Sequence, residues 1–579
     1  MMAAFVIKLL VVAFAFHTST GSPPGPVVTC STAASGGECT VTNAYATFPD
    51  RSVCSGLEVA YPASEQELLA LVARATLKRQ KMKVATRYSH SIPKLVCPGG
   101  TSGLIISTNN LNHTIGVDSS AMTITVESGA TLKDIIGEAA RAGLALPYAP
   151  YWLGLTIGGL LGTGAHGSSL WGNGSAVHDY VVGMRMVTPA SAENGYAAVR
   201  SLMAGDPEMD AAKVSLGVLG VISQVTLKLE PMFKRSVTMV VRDDSDLDGT
   251  AVAFGGQHEF GDITWYPGQK KAVYRVDDRT SVHASGDGRM DFIPFRSTPT
   301  IAVGLTRIAE EALEVTQNSD GKCVSSKLLT STLLAGAYGL TNDGLLFTGY
   351  PVVGFHNRLQ ASGSCLDSPN DGLLSACAWD PRIHGEFFHQ TTFSIGVSKV
   401  GEFISDVKKL RDLAPESLCG VELYNGILMR YVKASSAYLG KQEDGIDFDI
   451  TYYRAKDPLT PRLHEDVLEE IEQMALFKYG ALPHWGKNRN IAFDGVMKKY
   501  ANAKEFLKVK DAYDPLGLFS SEWTYQVLGI QGNVTIVREG CALEGLCICS
   551  EDVHCAPNKG YFCRPGKVYT DARVCRKLS

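Results

Sequence analysis

The run T-I-G-G-L-L-G-T-G-A-H-G-S-S-L-W-G-N-G-S, Thr156 to Ser175, limits what this chain can fold into more than any other stretch. Glycine has no Cβ, so it takes positive φ readily and lets backbone approach a ligand or a neighbouring strand closely. Within the run, Gly162-Thr-Gly164-Ala-His-Gly167 satisfies G-x-G-x-x-G. A nicotinamide-binding reading needs a strand before the glycines, a helix opening on them and an acidic residue about 20 positions on. Gly172 and Gly174 follow instead, and each glycine costs a helix interior roughly 1 kcal/mol relative to alanine. No acidic residue stands in the expected setting. The glycines can still present backbone N–H groups to a phosphate, or they can form tight turns between strands.

Around this run the pattern is α+β. Ser64-x-x-Glu67 reads as a capping box, and Leu68, Leu69, Leu71, Val72 and Ala75 supply the apolar face of the helix it starts. Short strands are expected at Lys81–Thr86, Leu104–Ser107, Thr114–Asp118, Thr123–Glu127, Val181–Val187 and Val221–Leu229. A helix is expected at Thr131–Ala142, with Thr131 as N-cap and Leu216–Gly220 as a glycine-flanked turn further on. Val53 to about Pro231 therefore forms one unit. From Met232 strand signals (Ser236–Val241, Ala272–Val276, Phe448–Tyr453) alternate with helix signals (Ile308–Val315, Pro461–Tyr479), which reads as a second α+β domain covering the first, to about residue 528.

R-Y-S-H-S at Arg87–Ser91 and I-G-G-x-x-x-T-G-A-H-G at Ile157–Gly167 follow one another along the chain. In this order the two segments resemble the vanillyl-alcohol oxidase family of flavoproteins and, within it, the aldonolactone oxidases, plant L-gulonolactone oxidase-like members in particular. L-G-V-L-G-V-I-S at Leu216–Ser223, P-H-W-G-K at Pro483–Lys487 and D-P-L-G-L-F at Asp514–Phe519 extend the match over most of the chain. The resemblance implies a two-lobed PCMH-type FAD-binding domain (residues 53–231), an α+β substrate or cap domain (232–528) and FAD as cofactor. It implies that Arg87, Tyr88, Ser89, His90 and Ser91, together with Ile157, Gly158, Gly159, Thr163, Gly164, His166, Gly167, Gly217, Gly220, Val221 and Ile222, surround the cofactor. His90 is the candidate for a covalent bond to the flavin 8α-methyl group. Here Arg87, Tyr88 and Ser89 stand where the family usually has glycines.

Oxidising a sugar lactone at C2 requires removal of a hydroxyl proton, transfer of a hydride to the flavin, a cation near the reduced ring and a polar grip on the hydroxyls. The family places an arginine in the motif V-E-x-R. The matching stretch is Ile427-Leu-Met-Arg430, so Arg430 carries over, while the family glutamate falls on Leu428. Glu422 upstream is a candidate substitute, and Lys487 with His484 forms the second catalytic pair that the resemblance implies.

The remaining features bear on compartment and partners. Residues 1–21 read as a signal peptide, with Lys8, the apolar stretch Leu9–Phe16 and small Ser19, Thr20 and Gly21. The chain has 14 cysteines, a number suited to an oxidising compartment. Six of them, Cys541, Cys547, Cys549, Cys555, Cys563 and Cys575, crowd a tail from residue 529. The tail contains no C-x2-C pair of the zinc type, so three disulfides are expected, in any of fifteen pairings. Asn112, Asn173 and Asn533 head N-x-S/T sequons. The formal net charge of −5 and the lack of a long basic run argue against a nucleic-acid or anionic-membrane partner. The partners expected are a small sugar lactone and O2. Three functions stay open: an oxidase making H2O2, a dehydrogenase with another acceptor, and a secreted flavin-binding protein that has lost catalysis.

Overall fold

The computed structural model describes residues 27–30, 39–41, 54–87, 92–99, 102–366, 371–380, 382–383, 388–421 and 425–578. The expected signal peptide, residues Tyr88–Ser91 with the candidate His90, and Glu422 lie outside the described residues.

The first lobe begins as the pattern predicts. Helix Glu65–Leu77 starts at Ser64, whose hydroxyl accepts from the Glu67 N–H (3.2 Å), while the Glu67 carboxylate accepts from the Ala63 N–H (2.9 Å). Leu68, Leu71, Val72 and Ala75 are buried. The helix carries the chain from strand Cys54–Ala60 to strand Met82–Ala85, and Leu104–Ser107 lies between these two, parallel to both. Parallel neighbours need such a crossover. A second, wholly antiparallel sheet runs in the order Ala197–Met203, Val181–Pro189, Val221–Lys228, Thr123–Glu127, Thr114–Asp118. Helix Leu132–Arg141 packs beside it, opened by a capping box between Thr131 and Asp134. The two sheets, with their helices, together make up this first lobe. The glycine run does depart from a pure set of turns, since it opens with helix Ile157–Gly162. Ile157, Leu160 and Leu161 bury one face of that turn, and this burial outweighs the poor helix propensity of the glycines.

The second region is built on an eight-stranded antiparallel sheet. Its order is Val352–Phe355, Lys234–Asp243, Lys271–Thr280, Asp262–Tyr266, Ile427–Val432, Gly445–Tyr453, Phe388–Gly396, Leu482–Pro483. Helices Leu247–Gln257 and Val400–Leu413 cover one face, burying Phe254, Phe403 and Val407 against Trp265, Tyr274 and Phe448. Helix Glu465–Gln473 starts four residues later than Pro461, and it ends in a π-turn at Met474–Lys478. The expected helix at Ile308–Val315 is the second half of a longer one, Thr300–Val315.

Chain order and spatial order part company after Pro483. Trp485, Phe493, Tyr500, Phe506 and Trp523 join the core of the first lobe with Ile135, Met184 and Leu227. Leu518 and Phe519 pack with Leu68 and Met82, and the Met82 N–H donates to the Leu518 carbonyl (2.8 Å). The end of the expected cap domain, from Trp485 on, thus completes the first lobe.

The tail pairs Cys541–Cys547, Cys549–Cys563 and Cys555–Cys575. Elsewhere Cys30–Cys39, Cys54–Cys97, Cys323–Cys419 and Cys365–Cys377 are bonded. The tail docks on helix Glu465–Gln473, where the Glu470 carboxylate accepts from the N–H groups of Lys567, Val568 and Tyr569 at 2.6–2.7 Å. Among the described residues no helix is long and apolar enough to cross a membrane.

Candidate active site

Two cavities adjoin, one inside the first lobe and one between that lobe and the open face of the large sheet. The smaller, of 90 Å³, is lined by Gly158, Gly159, Gly217, Gly220, Ser128 and Ile222, among others. Glycine is required at several of these places. Gly220 has φ +141°, and a Cβ there would sit 2.5 Å from the Val187 carbonyl oxygen. At Gly158 a Cβ would meet the Ser128 carbonyl oxygen at 3.1 Å. Gly164 and Gly167 shape the turn behind this wall, with φ +66° at Gly164 and the Ala149 carbonyl oxygen 2.8 Å from a Cβ at Gly167. Ile157 and Val221 face the core. Arg87 is exposed. Thr86, Gly159 and Thr163 line both cavities and so join them.

The larger cavity, of 220 Å³, is walled on the sheet side by Asp262, Thr264, Leu428, Arg430, Asp449 and Gln390. Alternation along the strands puts these side chains on one face, and strand pairing sets them side by side. Asp262 lies opposite Arg430, which lies opposite Asp447, and Thr264 lies opposite Leu428, which lies opposite Asp449. The candidates Arg430, Lys487 and His484 all reach this cavity. The loop carrying His484 and Lys487 is held by Asn488, whose φ is +83°. Its amide accepts from the Thr392 N–H (2.8 Å) and donates to the Thr392 and His484 carbonyls (2.9 Å each).

Asp449 organises the charge. Its carboxylate accepts from Lys487 Nζ (2.8 Å), Arg430 (3.3 Å), Gln390 Nε2 (2.6 Å) and Thr392 Oγ1 (2.9 Å). Burial pushes its pKa up, but Lys487 and Arg430 hold it below the ordinary carboxylate value. Burial lowers the Lys487 ammonium, with Asp449 opposing. His484 is lowered well below the usual imidazole value by burial and then by Lys487. Its Nδ1 accepts from the Gly486 N–H (3.1 Å), so the proton of the neutral ring sits on Nε2. Asp262 behaves oppositely to Asp449: burial raises its pKa, and it accepts from the Tyr151 hydroxyl at 2.5 Å. His166 spans the two regions, its Nε2 2.7 Å from Asp447 Oδ2 and its Nδ1 2.8 Å from the Gly167 carbonyl.

The motif reading did not single out Asp447, Asp449, Gln390, Asp262 or Tyr151. One signal was available for the first two. Asp447 and Asp449 alternate with Phe448 and Ile450 in strand Gly445–Tyr453, and charges inside an otherwise apolar, fully buried strand are rare unless paired.

The residues present fit a dinucleotide flavin. A glycine-walled cavity runs into a cationic one. Thr108 Oγ1, Ser128 Oγ and Thr156 Oγ1 on their walls are buried with no hydrogen-bond partner among the described residues, and such groups call for an acceptor or donor from a ligand. FAD supplies the two-electron acceptor for oxidation of a hydroxyl.

Comparisons with known proteins agree. The sequence profile described as FAD binding domain matches residues 57–193, that of D-arabinono-1,4-lactone oxidase matches 386–527, and that of the L-gulonolactone oxidase 2-like C-terminal domain matches 538–577. L-gulonolactone oxidase 2 of Arabidopsis thaliana is 63% identical over 564 residues, 97% of this chain and 95% of that protein. The L-gulono-1,4-lactone dehydrogenase of Mycobacterium tuberculosis (strain CDC 1551 / Oshkosh) is 24% identical over 496 residues, 84% of this chain and 99% of that protein. A solved structure of a solvent-stable cholesterol oxidase superposes with a TM-score of 0.66 at 14% identity, covering 85% of this chain and 97% of its own, which bears on the fold alone. With cavity, cofactor chemistry and full-length similarity in agreement, the chain belongs to the L-gulonolactone oxidase family, FAD-dependent oxidoreductases of the aldonolactone oxidase type.

Proposed function

We propose that this protein oxidises L-gulono-1,4-lactone at C2, with O2 reduced to H2O2, and that the product tautomerises to L-ascorbate. The observation that carries this reading is the convergence of Arg430, Lys487 and Gln390 on one carboxylate, with His484 on the wall of the same cavity, which is continuous with the glycine cradle. A polyhydroxylated ring needs several fixed donors, and the site has them. Arg430 and Lys487 supply positive charge where electrons accumulate, and the His484 Nε2–H supplies a neutral donor. Gly159, at the junction of the cavities, keeps that wall free of a side chain.

His90 is proposed to bond covalently to the flavin 8α-methyl group, as a neutral imidazole nucleophile. The chain is proposed to pass through the secretory pathway behind its N-terminal signal. The seven disulfides and the exposure of all three sequon asparagines, Asn112, Asn173 and Asn533, support that route.

A dehydrogenase using another acceptor is the second reading, favoured by the similarity to the mycobacterial lactone dehydrogenase. One experiment separates them. The purified protein receives L-gulono-1,4-lactone under nitrogen, and air is then admitted. Bleaching of the flavin band followed by recovery in air, with H2O2 formed, supports the oxidase. Bleaching without recovery supports the dehydrogenase, and no bleaching overturns both. Flavin that stays with acid-precipitated protein supports the His90 bond, and its release refutes it.

A further inference from the structure

We propose that Asp449 supplies, from the adjacent strand, the carboxylate that position 428 lacks, acting as a positioning residue that fixes Arg430 and Lys487 in the substrate cavity. The family motif V-E-x-R, aligned on Arg430, places its glutamate at Leu428. In the sheet, strands Ile427–Val432 and Gly445–Tyr453 run antiparallel with Leu428 directly opposite Asp449. Directly opposed residues share a face, with Cβ atoms about 4.5–5.5 Å apart. Both line the cavity. A carboxylate at 449 therefore occupies nearly the same patch of wall as one at 428, reached from the neighbouring strand.

The bonding of Asp449 defines what it can do. One oxygen accepts from Gln390 (2.6 Å) and Thr392 (2.9 Å), the other from Lys487 (2.8 Å) and Arg430 (3.3 Å). A carboxylate has about four acceptor sites, and the protein fills them. Asp449 is thus not placed to take the substrate's proton. It sets the position of the two cations and reduces their net charge from two to one. Leu428 is the complementary half of the exchange. A glutamate there, with Asp449 in place, would set two carboxylates on opposed positions, where like charges repel. Leucine keeps one carboxylate for the two cations and adds an apolar surface beside them.

The exchange is reversible on paper, and that is its test. The choice of lactone rests on the proposed function, so a second readout is independent of it. Inorganic sulfite is the probe: its addition to the flavin of the holoenzyme bleaches the visible band, an affinity that reports the local positive charge, and a wild type and Asp449→Asn that both fail to bleach overturn the proposal. In Asp449→Asn, sulfite should bind about tenfold more tightly, since one negative charge has left a screened but partly buried site, and kcat/KM for L-gulono-1,4-lactone should fall about 100-fold with a changed pH profile. Leu428→Glu alone adds a carboxylate and should weaken sulfite about tenfold. In Leu428→Glu/Asp449→Asn both quantities should return towards wild type. A double variant that behaves like Asp449→Asn, or a sulfite affinity within twofold of wild type in Asp449→Asn, overturns the proposal. If Asp449→Asn does not accumulate as folded protein, Leu428→Glu decides: unchanged sulfite affinity overturns it. If the wild type proves inert to the lactone, the proposed function fails and the sulfite series still decides the role of Asp449.

Discussion

Replacing Asp447 by asparagine tests how the two regions are held in register over the cofactor. Asp447 sits on the large sheet and His166 in the glycine run, and their side chains are 0% and 1% exposed. The carboxylate is 2.7 Å from His166 Nε2 and 2.9 Å from Lys441 Nζ. Burial alone would raise its pKa, but Lys441 and His166 hold it well below the ordinary carboxylate value. Asparagine keeps the shape and removes the charge, leaving the Lys441 ammonium without its counter-ion and His166 Nε2 without its carboxylate partner. Removing one partner of a buried pair costs about 3–5 kcal/mol, and directly contacting pairs couple by about 0.5–3 kcal/mol in a double-mutant cycle. Asp447→Asn should therefore lose about 3–5 kcal/mol in urea unfolding followed by tryptophan fluorescence, and pairing it with His166→Gln should show coupling above about 1 kcal/mol. The pH dependence has a definite sign. A depressed carboxylate pKa stabilises the fold above the unfolded value near 3.8 and loses that effect as pH falls through the folded value. The gap between wild type and variant should thus be constant from pH 7 to pH 5 and close only in stronger acid. A loss below about 1 kcal/mol, or additivity with His166→Gln within about 0.5 kcal/mol, would refute the reasoning.

Three further outcomes are expected. Gly220→Ala forces a Cβ to within 2.5 Å of the Val187 carbonyl at φ +141°, so the purified variant should show a lower ratio of flavin to protein absorbance after gel filtration; an unchanged ratio would count against the glycine cradle. Burial pushes the Lys83 ammonium down to about 7, so its charging opposes folding below that pH and the penalty lifts between about 7 and the ordinary lysine value. The Tm of wild type relative to Lys83→Met should accordingly be flat below pH 7 and rise from pH 7 to pH 9. Glu470→Ala removes the shared acceptor of three backbone N–H groups in the tail, at about 1.5–3 kcal/mol per charged hydrogen bond before compensation by water; limited proteolysis should then cut between Leu528 and Cys541 at lower protease concentration than in wild type.

Local pattern made much of this protein legible. The Ser64 cap and the spacing of Leu68, Leu71, Val72 and Ala75 specify helix Glu65–Leu77, because capping and a 3.6-residue period act within a few residues. The strands expected at Val221–Leu229 and Phe448–Tyr453 correspond to Val221–Lys228 and to the second part of Gly445–Tyr453. The motif order brought Arg430, His484 and Lys487 forward, and the structure gathers all three at one cavity. What escaped the pattern was mainly non-local. The return of Trp485–Val527 to the first lobe follows from which apolar surfaces meet, and nothing in a change of composition reports that. Helix Ile157–Gly162 was missed because tertiary burial of Ile157 and Leu161 overrides the propensity of its glycines.

The sequence by itself determined the chemistry available: a glycine run unfit for a Rossmann turn, two cations in family order, and a tail whose six cysteines had to pair. Only the tertiary structure decided where the compensating charge lies. Alternation puts Asp449 on a strand face, but which strand becomes its neighbour, and that Leu428 stands directly opposite, depends on the register between segments that the chain brings together only after folding. Register is fixed by the summed burial of whole strands, not by any residue's immediate neighbours, so the carboxylate absent from one strand could be found on the next only once the sheet was assembled.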